Sequence, residues 1–183
     1  MEDLRQLIEA EIPRLRRYAR ALMRSRDRAD DLVQDTIVRG LEKLHLYQPG
    51  TNLRAWLFTM MHNHYVNAVR RSARRGHEIE VEKVPLKLRP SQIERLELRD
   101  LERAIASLPD EQRTTLLLIS LEGMKYEEVA QICDVPVGTV RSRLSRARTA
   151  LHQMLEGDRP APNSRPHPES SGGERDSLKM SFF

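Results

Sequence analysis

The sequence predicts an all-α protein: two small helical domains joined by a flexible linker, with a disordered C-terminal tail. Three observations predict it. Aromatic residues are only 4% and charged residues 32% of the 183-residue chain, a composition poor in the ring-bearing side chains that strands favour. Apolar residues recur at spacings of three and four from Leu4 to Ala68 and again from Ile93 to Leu144, the period of amphipathic helices. Between the two runs, Pro85 and Pro90 interrupt any helix. After them, residues 158–183 hold four Pro, five Ser and two Gly, too little apolar material to bury a core.

Leu4, Leu7, Ile8, Ile12, Leu15 and Ala19 mark the first helical face, and Pro13 inside it is expected to open a second helix. Arg14, Arg16, Arg17, Arg20, Arg24, Arg26 and Arg28 make the exposed side basic. Ala29 to Asp35, followed by Ile37, Val38, Leu41 and Leu44, forms the next helix. The acids gathered at its start suit the helix dipole, and Asp30 or Asp31 could cap it. Gln48-Pro49-Gly50-Thr51-Asn52 is a loop. A helix restarts with Leu53, Trp56, Leu57, Met60, Met61, His64, Tyr65 and Ala68 on one face, which places Trp56 in the core, and it ends at Arg70 to Gly76. Glu78, Glu80 and Glu82 alternate with Ile79 and Val81, but a strand there has no evident partner, so residues 76–90 are expected to be a linker. Ile93, Leu96, Leu101, Ala104, Ile105 and Leu108 form a helix, and Pro109-Asp110 opens another that runs through Leu121 and is closed by Gly123. The expected division is 1–75, 76–90, 91–157 and a tail at 158–183. The tail ends in Leu178, Met180, Phe182 and Phe183, apolar residues for which the sequence offers no account.

The net charge of +4 conceals an asymmetry. Residues 1–75 carry 15 basic and 9 acidic residues, residues 76–135 carry 8 and 13, and residues 136–157 carry 4 and 1. Two basic blocks therefore flank an acidic middle. The single cysteine, Cys133, excludes an intramolecular disulfide and a cysteine-based zinc site. His62 and His64, two apart, fall on different faces of a helix. No leader peptide or membrane span is evident, and a protein of the reducing cytoplasm without membrane insertion is expected. There is no Gly-rich phosphate loop and no nucleophile triad, so the chain is expected not to be an enzyme and to need no cofactor or metal.

Tyr126 to Leu144 is the most informative stretch. Val129, Ala130 and Ile132 set one face of a short helix on a core, and Cys133-Asp134-Val135 makes a tight turn. Pro136 suits the first turn of a second helix beginning at Val137. Val140 and Leu144, four apart, face inward. Arg141, Ser142, Ser145 and Arg146 remain on the surface, with Arg143 and Arg148 near its edges. This is the layout of a helix-turn-helix whose second helix enters a DNA major groove, where Arg can donate to guanine O6 and N7 or pair with phosphates. A merely basic surface helix is the plain alternative, but turn, spacing and charge agree on the first. Cys133 reads as a small buried apolar residue, since Asp134 is the opposite of the basic neighbour a reactive thiol wants.

Asp30-Asp31-Leu32-Val33-Gln34-Asp35, then Gln48 to Leu57, resembles the second conserved region of extracytoplasmic-function (ECF) RNA polymerase sigma factors. Ser107-Leu108-Pro109, the Tyr126 to Ala130 run and Pro136 to Arg143 resemble their fourth region. The resemblance spans about residues 5–156. It implies a bacterial promoter-specificity subunit that binds a coiled coil of the core polymerase β′ subunit, opens the −10 element with its first domain and grips the −35 duplex with its second. Residue by residue, it implies core-polymerase binding by Asp30, Asp31, Gln34 and Asp35. It implies −10 contacts by Tyr47, Gln48, Gly50, Thr51, Asn52 and Asn63, with Arg70, Arg71, Arg74 and Arg75 on phosphates. It implies −35 contacts by Thr139, Arg141, Ser142, Arg143, Ser145, Arg146 and Arg148. It further implies a role in stress response under an anti-sigma factor. Two positions depart from the pattern. Ser145 is smaller than in many relatives, and Lys125 replaces a frequent Ser or Thr N-cap, a loss of ~1 kcal/mol. The rival expectations are a two-domain helix-turn-helix regulator acting without core polymerase, and a helical adaptor with no DNA contact.

Overall fold

The computed structural model describes residues 2–23, 25–74 and 92–157, so Arg24, Arg75, the expected linker at 76–90 and the expected tail at 158–183 lie outside the described residues. Among those described there are seven α-helices and no strand: α1 (Glu2–Leu22), α2 (Arg26–Glu42), α3 (Leu53–Arg74), α4 (Gln92–Ser107), α5 (Asp110–Leu116), α6 (Tyr126–Cys133) and α7 (Val137–Gly157). A short 3-10 turn, Leu44–Leu46, follows α2.

Two local expectations are corrected. Pro13 does not open a second helix; it lies inside a continuous α1. The missing N–H forfeits one backbone bond, a cost of ~3 kcal/mol in an isolated helix. Ile8 on one side, and Leu15, Tyr18, Ala19 and Leu22 on the other, are buried in one core. Burying each large apolar side chain contributes ~1.5–3 kcal/mol, so together they outweigh the proline. Asp30 and Asp31 do not cap α2 either. The helix starts a turn earlier, where the Ser25 hydroxyl accepts from the Arg28 N–H at 3.4 Å. The acids therefore sit on the second turn, free of a capping duty.

Helix α1 packs on α2 and α2 on α3, while α4, α5 and α6 pack on α7. These two groups of helices also meet: α3 lies against α6, and α1 against the turn that follows α5. The result is one continuous core in which Tyr18, Phe58 and Met61 from the first group join Leu117, Leu118, Met124, Val129 and Ile132 from the second. A smaller cluster of Leu108, Leu116, Leu144 and Ala147 holds α7 to α4 and α5.

The predicted helix from Asp110 to Leu121 is present, but its last turn is wound as a π-helix, Leu117–Leu121. The Glu122 N–H donates to the Leu117 carbonyl at 3.1 Å. The wider turn shifts the side chains after it, and such turns recur at functional sites. Gly123 then takes φ +65°, a conformation that costs glycine nothing, and the Met124 N–H returns to the Leu118 carbonyl.

Phe58 is fully buried, its ring edge-on to Tyr18 with centroids 5.2 Å apart. Phe58→Ala is expected to cost ~3–5 kcal/mol in urea unfolding. Leu41→Ala, at a 43% exposed position, is expected to shift stability by no more than about 0.5 kcal/mol.

Candidate partner and nucleic-acid interface

Asp31, Gln34 and Asp35 are exposed on one face of α2. Asp30 is drawn aside toward Arg20, 3.6 Å away, and Asp35 lies 3.3 Å from His64. Burial and the nearby Arg39 hold the His64 imidazole below its ordinary value, against the opposing pull of Asp35. The same face continues into Val38 and Leu41, and Leu46 of the 3-10 turn lies beyond; all three are exposed large apolar residues. Sequence periodicity names Val38 and Leu41 among the apolar residues of this helix, and the structure leaves both exposed. Val38 lies four residues from Gln34 and three from Asp35, and Leu41 lies three beyond Val38; that spacing is the signal that places them on the acidic face.

The loop between α2 and α3 is rigidly built. Tyr47 is buried, with its ring centroid 5.3 Å from that of half-buried Trp56, and its hydroxyl donates to the Thr51 carbonyl at 2.6 Å. That ring therefore positions the loop and offers no stacking face. The Thr51 hydroxyl donates to the Gln48 carbonyl at 2.8 Å, and Gly50 takes φ +89°. Asn52 is the N-cap of α3: its Oδ1 accepts from the Ala55 N–H at 3.0 Å, while its Nδ2 donates to Glu128 of α6 at 2.6 Å. Gln48, Gly50 and Thr51 are exposed. So are Asn63, Arg70, Arg71 and Arg74 along α3, whereas Arg75 is outside the described residues.

In the second half, Val140, Leu144 and Ala147 bury one face of α7. Arg141, Ser142, Ser145, Arg146 and Arg148 are exposed, and Thr139 is half-buried. Asp134 makes the turn between α6 and α7 in the left-handed region, φ 53°, which Asp tolerates better than most residues. The Arg141 guanidinium sits 5.9 Å from the centroid of the Tyr126 ring. Lys125 has no side-chain acceptor, so only half of a capping box forms: Glu128 accepts from the Lys125 N–H at 2.8 Å. Arg143 departs from the surface set. It reaches Glu111 of α5 at 2.6 Å and its side chain is only 19% exposed. Burial pushes the neighbouring Cys133 thiol up to about 11, with Arg143 opposing, as an unreactive packing residue requires.

The residues that sequence reasoning missed lie where the two groups of helices meet. The Glu122 side chain has no exposed surface. Arg17 of α1 donates from Nε to its Oε1 at 3.0 Å, with Nη2 2.9 Å from the same oxygen and donating to the Leu121 carbonyl at 3.2 Å. Arg54 of α3 donates to its Oε2 at 3.0 Å and also to its backbone carbonyl. A second polar cluster joins Tyr65 of α3 to Asp110 (3.0 Å) and buried Arg113 (2.9 Å) of α5. In sequence, Arg17 is one of seven closely spaced arginines and Glu122 merely precedes a glycine, so no local pattern marks them. Among the described residues, no group of His, Cys, Asp and Glu could hold a metal ion, and no helix is long and apolar enough to cross a membrane.

Two family models match the chain: the sigma2 domain of PhyR over residues 8–62, and sigma-70, region 4, over residues 98–151. The ECF RNA polymerase sigma factor EcfG of Rhodopseudomonas palustris (strain TIE-1) is 40% identical over 158 residues, 86% of this chain and 87% of that protein. The solved structure of the sigma factor RpoE in complex with the anti-sigma factor NepR from Bartonella quintana matches with a TM-score of 0.74 at 36% identity, covering 87% of this chain and 100% of that one. CnrH, solved in complex with the cytosolic domain of CnrY, matches with a TM-score of 0.63 at 27% identity, covering 84% of this chain and 88% of that one.

His62 is half-buried on α3, and burial followed by the charge of Arg143 lowers its pKa from 6.5. The unfolded chain therefore binds a proton that the folded chain resists. His64, lowered as well, acts in the same direction. Stability is expected to be full above about pH 7 and to fall as pH drops through ~6.5. His62→Gln should flatten part of that fall, read as the urea midpoint measured from pH 7.5 to 5.5.

Proposed function

The chain belongs to the ECF RNA polymerase sigma factors, and from that premise we propose that it binds core RNA polymerase and directs initiation at promoters with its own −10 and −35 elements. The observation that carries this reading is the presence, on one chain, of two exposed faces of opposite character. One is the acidic and apolar face of α2; the other is the basic face of α7.

The α2 face suits a basic partner helix. Asp31, Gln34 and Asp35 offer charge-assisted hydrogen bonds, and Val38 and Leu41 offer apolar area between them. The partner is the coiled coil of the polymerase β′ subunit, and Asp30 contributes less because Arg20 holds it. The Gln48–Asn52 loop, held by the Tyr47 hydroxyl, presents polar groups that read an unstacked −10 base. Asn63 extends that surface, and Arg70, Arg71 and Arg74, with Arg75, bind phosphates in a salt-dependent way. On α7, Arg141, Ser142, Ser145 and Arg146 read the −35 element in the major groove, flanked by Thr139, Arg143 and Arg148. The first unit comprises residues 1–75 and the second residues 91–157. The chain supplies recognition and the polymerase supplies catalysis, in the cytoplasm. RpoE of Bartonella quintana was solved with an anti-sigma factor, which supports control of this chain by such a partner in a stress response.

The test is transcription in vitro with core polymerase and a promoter library. Specific start sites that depend on the protein are expected, and none at any excess of core would overturn the reading. Asp31→Arg is expected to reduce core pull-down at least tenfold, since it places a like charge against a basic partner; unchanged pull-down would remove the α2 face from the assignment. Arg141→Ala with Arg146→Ala is expected to weaken −35 duplex binding by about 10- to 100-fold or more, at ~1–3 kcal/mol for each bidentate contact.

A further inference from the structure

Arg143 differs from the other arginines of α7 in what it touches. Counted at about 100° per residue, Arg141, Ser142, Ser145 and Arg146 span an arc of about 140°, and Val140, Leu144 and Ala147 form the buried arc. Arg143 falls between the two, about 60° past Arg146 and about 40° short of Ala147. A side chain at that boundary can turn outward to a phosphate or inward to the fold, and this one turns inward. Its Nη2 donates to Glu111 Oε2 at 2.6 Å, and only 19% of the side chain is exposed. Arg141, Arg146 and Arg148 stay exposed. A second observation agrees with that direction. Burial and then the charge of Arg143 lower the His62 imidazole on α3, and burial raises the Cys133 thiol on α6 with Arg143 opposing. Both groups are partly buried, so the guanidinium is directed toward the body of the protein.

Glu111 stands in the first turn of α5. Leu108, Leu116, Leu144 and Ala147 supply the apolar cluster that seats α7 on its neighbours. Apolar contact is non-directional, so it presses α7 into place without fixing its rotation about its own axis. A charge-assisted hydrogen bond is directional, and this one ties α7 to α5 one residue from Leu144. With the glutamate side chain 70% exposed, the pair adds little stability; what it supplies is orientation. Base readout depends on orientation, because a binding constellation has to be held within about 0.5 Å and about 10–20° of its productive geometry.

Resting on the sigma reading, we propose that Arg143 is a positioning residue, kept by Glu111 and making no phosphate contact in the promoter complex, and that the Glu111–Arg143 pair sets the sequence specificity of the −35 contact. Two consequences separate this role from that of a plain basic flank. Arg143 adds nothing to counterion release, because its charge is already paired within the protein. Loss of Glu111 frees Arg143 for phosphates, which carry no sequence information. Affinity for any duplex then rises while discrimination between duplexes falls, since specificity is a difference of affinities.

The experiment measures binding of the full chain to a −35 duplex that the wild type selects from a random library, and to a scrambled duplex of the same length, from about 50 to 200 mM salt. Glu111→Gln removes the charge and keeps the volume. It is expected to steepen the slope of log K against log salt by up to ~0.9 and to lower the ratio of selected to scrambled affinity at least threefold. Arg143→Gln is expected to lower the same ratio at least threefold with no change of slope. Arg148→Gln, the comparison, is expected to flatten the slope by ~0.9. Circular dichroism checks that each variant keeps its helices, and the two variants of the pair guard against misfolding of either. A slope flattened by ~0.9 in Arg143→Gln would overturn the assignment, because Arg143 would then be a phosphate ligand. A ratio unchanged in both Glu111→Gln and Arg143→Gln would overturn it as well. If the wild type discriminates and these variants match it, the pair alone is lost and the sigma reading stands. If the wild type selects no sequence, with or without core polymerase, the sigma reading fails and the pair fails with it.

Discussion

A carboxylate with no exposed surface has to be neutralised where it lies, and Glu122 is neutralised by guanidinium groups 105 and 68 residues earlier in the chain. That requirement organises the interface around it. The π turn over Leu117–Leu121 brings the Glu122 side chain inward, and Gly123 lets the backbone leave at once. Arg17 and Arg54 must then approach from α1 and α3, which fixes how the two groups of helices face each other. The apolar contacts among Tyr18, Phe58, Leu118 and Ile132 fill the space that this geometry defines. Hydrophobic burial supplies the driving force but is non-directional; the three-way charge cluster supplies the direction.

The placement of the acidic residues gives the chain's charge pattern a structural meaning. Three carboxylates of the acidic segment between the two basic blocks are engaged within the fold: Glu122 takes Arg17 and Arg54, Glu111 takes Arg143, and Glu128 takes the Asn52 amide. Arginines left outside that set, such as Arg141, Arg146 and Arg148 on α7 and Arg70, Arg71 and Arg74 on α3, remain at the surface. One type of residue therefore does two jobs, decided by which neighbour the fold delivers.

Much of the architecture was legible because helix formation is governed by local pattern. The helix bearing Trp56 and the turn at Asp134 follow from spacing, punctuation and φ preference over a few residues. So do the inward Val140 and Leu144. The sigma resemblance was legible for the same reason, since its motifs are short and contiguous. Errors occurred where tertiary packing overrides a local rule. Pro13 stays inside α1 because large buried neighbours lie on both sides. Ser25 rather than an aspartate caps α2, because the core chooses where that helix begins. Val38 and Leu41 match the helical period yet face outward, because the core of the first unit is already filled by Leu32, Val33, Leu57 and Phe58.

The sequence by itself determined the helices, the basic exposed face of α7, the acidic face of α2 and the family. These depend on residues within about two turns of one another, where spacing alone decides what shares a face. Only the tertiary structure decided that Arg143 and Asn52 are occupied, that Tyr47 braces a loop, and that Glu122 ties α1 and α3 to the second unit. Each of those depends on a partner dozens of residues or a helix away. Charge–charge pairing has no periodicity to read: any of the arginines near Arg17 could have met any of the carboxylates, and three-dimensional packing selected the pairs.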